Sequence, residues 1–362
     1  MNLKKINCLQ FCSILLINIL ASFLGVGVFS IIKAASVDAC FSVIFSSIFG
    51  IFALIMFLCI FNYEPDLPLT GKLNKLFGKK IGTILIIFII IMTFISGINA
   101  MFNLTNFITS QFLPETSLLL IGIIFSFLII MINIKGIEII SRVTIIIITI
   151  NIILYLIAFF GLIPDFDFSN LKPILEHGIN PPLYGSLFIV CNNIIPVFIL
   201  LMIPKNTLVD KENFNKFVIP FYFAGFVLMF FAIFQTLGNL GIHLVSIYQY
   251  PEYIVLKNVD ILGFADRIEN IVTSQWIFGL FIYITMVVYL INNSIKFNNK
   301  SYLLPTSITI LILAFSKWLF PNNTIFNEYI YKYSLFPKLL VLVIFTFTAI
   351  AIILNEKKIK LK

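Results

Sequence analysis

Gly25-Val26-Gly27-Val28-Phe29 stands in the middle of a hydrophobic run that extends from Phe11 to Ile32. Two glycines two residues apart loosen a helix at a depth where no water can satisfy the backbone groups they free. A bilayer tolerates such a break only where the backbone is buried in protein or lines a cavity. A second interrupted run, Leu187 to Ile203, carries Cys191-Asn192-Asn193 and then Pro196. Two broken helices, in the first and sixth of about ten spans, mark the ligand site of many solute carriers. The pattern points to a small-molecule pocket inside a membrane.

The composition agrees. Of 362 residues, 60% are hydrophobic and 11% are charged, and the mean hydropathy is +1.08. A water-soluble surface needs more charge than that. Apolar runs long enough to cross a bilayer as helix recur near residues 8–32, 38–61, 81–111, 118–134, 142–163, 185–204, 216–242, 270–292, 302–320 and 336–354. The first is too long for a cleaved signal peptide, and no A-x-A site follows it. The expected fold is all-α and transmembrane, one polytopic domain over residues 1–362. With breaks in spans one and six the chain divides five plus five, a first repeat of about 8–163 and a second of about 185–354. An odd number of spans per half makes the halves inverted, as in amino acid permeases of the LeuT type.

Basic residues orient the chain. With Lys4 and Lys5 in the cytoplasm, the inner loops hold Lys72, Lys75, Lys79, Lys80, Lys135, Arg142, Lys205, Lys211, Lys216, Lys296 and Lys300, and the tail adds Lys357, Lys358, Lys360 and Lys362. The outer side keeps only Lys33, Lys172, Lys257, Arg267, Lys317, Lys332 and Lys338. Both termini are therefore expected in the cytoplasm. The net charge of +8 is a topology signal, and its scatter over short loops speaks against nucleic acid as a partner. The five cysteines form no CxxC and lie apart from His177 and His243, so neither a metal site nor a cofactor is expected. Two long outer connections, 164–184 and 244–269, carry apolar residues at helical spacing and predict short helices on the outer face.

The candidate ligand residues follow from the breaks. At Gly25, Val26, Gly27 and Val28 the N–H groups that open the second half-helix carry the positive dipole end and suit a carboxylate. Cys191, Asn192, Asn193 and Pro196 stand at the other break. The asparagine amides there either meet a ligand's ammonium or hold helices together. Span three carries Asn99, Asn103 and Asn106 at i, i+4 and i+7, one polar stripe with the same two readings. Thr273 is a candidate beside Trp276, which reads as an interfacial anchor. Arg267 with Glu269, and Lys33 with Asp38, read as surface pairs. No Asp or Glu sits at the centre of any span, which suits a receptor better than a proton-coupled pump. No catalytic spacing of the DDxxD or HExxH kind is present, so the chain does not read as an enzyme.

Three stretches carry a family resemblance: Gly25-x-Gly27-Val28; Leu171-x-Pro173-Ile174 with Gly178-Ile179-x-Pro181 and Gly185; and Tyr250-Pro251 with Phe264-x-x-Arg267-Ile268-Glu269 and Trp276. In these the chain resembles the spore-germination permease-like family, the B subunits of germinant receptors, within the amino acid–polyamine–organocation superfamily. It departs at Val197, where relatives commonly carry a Glu in span six. The resemblance implies a subunit that senses a small nutrient, an amino acid, in a mid-membrane pocket. It further implies A-type and C-type receptor subunits as partners and the spore inner membrane as the location. The alternative is a secondary amino acid transporter.

Overall fold

A computed structural model describes residues 5–23, 26–257, 268–295 and 302–360. Among these residues the chain is helical throughout, with one isolated parallel bridge between Ile6 and Leu208. Eight helices are long and apolar enough to cross a bilayer. A ninth is added if Leu303–Leu319 and Asn323–Tyr333, bent by 99° at a short break, make one span.

The difference from the expected ten arises at the start of the chain. Helix α1 (Cys8–Ala21) is opened by a reciprocal cap between Asn7 and Gln10. Its 14 residues rise about 21 Å, short of a bilayer's hydrocarbon. After the break, α2 (Val26–Ala35) runs through a single 3-10 turn, Ser36–Asp38, into α3 (Ala39–Asn62), so the helical winding is unbroken there. The direction nonetheless changes. Ser36 has φ 56°, and Ala35 and Ser42 both lie within 3.2 Å of where a Cβ on Gly185 would stand. In a straight helix, residues seven apart are separated by about 10.5 Å along the axis. Helices α2 and α3 therefore turn back around one partner.

Helix α4 (Leu69–Gln111) kinks at Gly78, φ 78°. Before the kink its first turns hold Lys72 under α3, fully buried, with Nζ 2.6 Å from the Ile60 carbonyl and 3.1 Å from that of Phe61. Those carbonyls belong to the last turn of α3, which has no partners of its own. Then come α5 (Leu118–Lys135) and α6 (Ile137–Gly161), whose outer faces show Ile123, Phe127, Ile146, Ile150, Ile153 and Phe160 at helical spacing. Water would not support so continuous an apolar belt; lipid does.

Helix α7 (Asn180–Ile189) is the partner that α2 and α3 embrace. It continues as a π-turn over Val190–Ile194 and 3-10 winding over Ile195–Met202, with every residue from Phe188 to Ile203 buried. Beyond it lie α8 (Phe214–Ile247), the short α9 (Pro251–Leu256), α10 (Ile268–Ile295), α11 (Leu303–Leu319), α12 (Asn323–Glu328) and α13 (Leu335–Lys360).

Several surface expectations change. Trp276 is 3% exposed and stacks on Phe107 at 4.0 Å between centroids, with Tyr250 beside it, so it packs the bundle instead of anchoring an interface. Asp38 is buried and accepts from the Leu175 N–H at 2.8 Å, while the Lys33 ammonium lies over the Tyr331 ring. They do not pair. Of the outer connections, the first holds a 3-10 turn, Phe168–Leu171, before α7 starts at Asn180, and the second holds α9 after α8 ends at Ile247. Phe264 and Arg267 lie outside the described residues, and with them the pair expected between Arg267 and Glu269.

Candidate functional site

The two breaks meet inside the bundle. At the end of α1 the last carbonyls lack helical partners. The Phe23 N–H bonds the Leu20 carbonyl at 3.0 Å, and the Val28 N–H bonds that of Phe23 at 2.9 Å. The Ile19 carbonyl receives the side-chain amide of Asn193 at 2.6 Å. Gly27 is required by a close approach, because a Cβ there would lie 2.6 Å from the Ser22 carbonyl oxygen.

Pro196 shapes the second break. Having no N–H, it cannot donate to the carbonyl four residues back, and its ring crowds that carbonyl, which disturbs α winding there. The turn before it widens, with the Ile195 N–H reaching the Val190 carbonyl, and the turn after it tightens. The span was expected to come apart; it stays coiled with altered pitch. The widened turn still matters, since it carries Cys191, Asn192 and Asn193, and such turns recur at functional sites. Asn193 points to α1, while Asn192 points the other way.

Asn192 faces a cavity of about 40 Å³, measured as the space open to the centre of a water molecule. Ser22 and Gly27 line it from the first break, and Asn192 and Pro196 from the second. Helix α4 contributes Ser96, Asn99, Ala100 and Asn103, and α10 contributes Leu280 and Tyr283. Phe326 of α12, Ile330 and Lys338 of α13 complete the wall. The side-chain carbonyl oxygens of Asn99 and Asn103 accept no hydrogen bond from the protein, although both residues are buried. Lys338, 8% exposed, donates to the Asn192 side-chain oxygen, and the Asn192 amide is held by the Phe188 carbonyl at 2.9 Å.

Gly27, Asn99, Asn103, Asn192 and Pro196 thus come together as candidates on one wall. Cys191 lines an adjoining hollow with Ser96, Pro196 and Lys338. Asn193 and Val28 spend their donors on Ile19 and Phe23. Val26 opens α2, and Gly25 lies outside the described residues. Thr273 stands elsewhere, in a larger apolar hollow with Tyr155, Gln235 and Trp276. Asn106 joins helices, donating to the Tyr250 hydroxyl at 2.5 Å.

Sequence reading missed Lys338, which it placed on the outer surface. Its position three residues inside the apolar run, directly after Pro337, was the available signal. Tyr283 and Phe326 carried none. The tie between the breaks is testable. Asn193→Leu leaves the Ile19 carbonyl without its donor and should cost about 1 kcal/mol, in the range of interhelical bonds in membranes. A lowered thermal midpoint in detergent would record it.

A family model described as "Spore germination protein", for the spore permeases, matches residues 5–324. Spore germination protein XB of Bacillus anthracis is 26% identical over 293 residues, 77% of this chain and 79% of that protein. The putative spore germination protein YfkT of Bacillus subtilis (strain 168) is 26% identical over 223 residues, 60% of each chain. Spore germination protein A2 of the same organism is 25% identical over 227 residues, again 60% of each. The chain belongs to the spore permease family of spore germination proteins, multi-pass membrane proteins with a permease-like body.

Proposed function

We propose that this protein is the permease-like subunit of a spore germinant receptor, and that it senses a small nutrient of the amino acid class. The observation that carries the reading is the cavity where Ser22 and Gly27 of one break face Asn192 and Pro196 of the other. A polar wall inside so apolar a bundle is costly unless something occupies it. Ligand contacts that differ between two arrangements of the bundle would shift their populations and so pass the signal on. The partners in this reading are A-type and C-type receptor subunits, the membrane is the spore inner membrane, and both termini face the cytoplasm. An inverted five-plus-five repeat of the LeuT type is the architecture that best accounts for two breaks lining one cavity.

The test is genetic and direct. Spores lacking the protein should lose the germination response to one or a few amino acids while responding normally to unrelated triggers. A full response to every amino acid would refute the reading. Concentrative uptake of a labelled amino acid by the protein alone in liposomes would favour a transporter instead.

A further inference from the structure

Lys338 is a buried cation without a carboxylate. No Asp or Glu lines the cavity or the adjoining hollow that Lys338 shares with it. Its one hydrogen-bond partner among the described residues is a neutral amide, Asn192. Taking an ammonium out of water costs several kcal/mol unless an opposite charge compensates it, and within a bilayer such residues mark function. Helix capping does not explain it, in contrast to Lys72, whose ammonium closes the end of α3.

The same cavity has the complementary defect. Lys338 and Ser96 both line the two hollows. Asn99 and Asn103, three and seven residues further, stand about 4.5 Å and about 10.5 Å along the axis from Ser96. Each presents an unpartnered buried carbonyl oxygen. The cavity is therefore lined by both a cation lacking an anion and acceptors lacking a donor.

We propose that Lys338 is the counter-ion for the carboxylate of the bound ligand, and that the site takes a small zwitterionic α-amino acid. The acid group meets the Lys338 ammonium beside Asn192. The α-ammonium, one carbon away, reaches the Asn99 carbonyl one helical turn along. The side chain extends toward Asn103 and Phe326. A volume of about 40 Å³ holds roughly three waters by that measure, which suits the smallest amino acids. Asn192 fixes the ammonium, because its own amide is locked by Phe188 and leaves its oxygen facing Lys338.

The inference rests on the nutrient-sensing reading, and the experiment separates the two. The full chain in lipid nanodiscs is titrated calorimetrically with glycine, alanine and serine, and with the primary carboxamide of each. Wild type should bind at least one acid about 30-fold or more tighter than its carboxamide, the loss expected when a buried charge pair forfeits one partner. Lys338→Gln should erase that ratio while leaving the carboxamide's affinity within about threefold. Unchanged carboxamide binding also reports that the variant is folded. Equal binding of acid and carboxamide by wild type, or a ratio that survives in Lys338→Gln, overturns the role of Lys338 and leaves the sensing function standing. Failure of all three amino acids to bind wild type overturns the proposed site, while the sensing function stands or falls on the germination assay.

Discussion

Ligand affinity should fall about 100-fold in Gly27→Val, equivalent to about 2.8 kcal/mol. The reason is steric and local. A Cβ at position 27 would lie 2.6 Å from the Ser22 carbonyl oxygen, which is backbone and cannot swing aside. The break must therefore open, and overpacking of this kind costs about 1–3 kcal/mol before any ligand is considered. Ser22 and Gly27 both line the cavity, so the displacement reshapes the wall that a ligand would touch. Gly279→Ala is the matched control, because a Cβ there meets nothing within 4 Å. Equilibrium binding of the two variants decides the matter. Wild-type affinity in Gly27→Val would remove the first break from the site.

The largest effect on stability is expected at Lys72→Met, about 3 kcal/mol lost. The substitution keeps the apolar stem and removes the ammonium that bonds the Ile60 and Phe61 carbonyls at 2.6 and 3.1 Å. Hydrogen bonds to a charged donor contribute about 1.5–3 kcal/mol, and the orphaned carbonyls add a desolvation penalty. The residue is fully buried and its ammonium also lies over the Phe61 ring, so no solvent can replace it. Thermal unfolding in detergent should show the loss. Ligand affinity should stay unchanged, since Lys72 is remote from the cavity walls.

Much of the architecture was legible because bilayers impose long apolar runs and make exceptions conspicuous. The glycines at 25 and 27 and Pro196 announced two irregular spans, and Gly27, Asn192 and Pro196 do line one cavity. The polar stripe of α4 was equally visible, yet its members part company: Asn99 and Asn103 face the cavity and Asn106 bonds Tyr250. Spacing along one helix specifies a face and says nothing of what is opposite. The π-turn was hidden for a related reason. It depends on hydrogen-bond offsets that composition does not encode, with the Ile195 N–H reaching the Val190 carbonyl. Lys338 was not legible because a basic residue near a span end contributes to the charge balance in the same way whether its side chain turns to water or into the bundle. The same holds for Trp276, its amphipathic ring being read as interfacial when Phe107 and Tyr250 enclose it.

The 99° bend after α11 has a kinetic corollary. It lays residues 323–333 across the bundle, where Phe326 packs on Phe102 at 4.6 Å between centroids and Ile330 closes the wall beside it. A guest arriving from that side must first push this plug away, so its association rate should level off at high concentration instead of rising without limit. The same stretch of chain leads within five residues from Tyr333 to Lys338. Displacing the plug would therefore pull on the last helix.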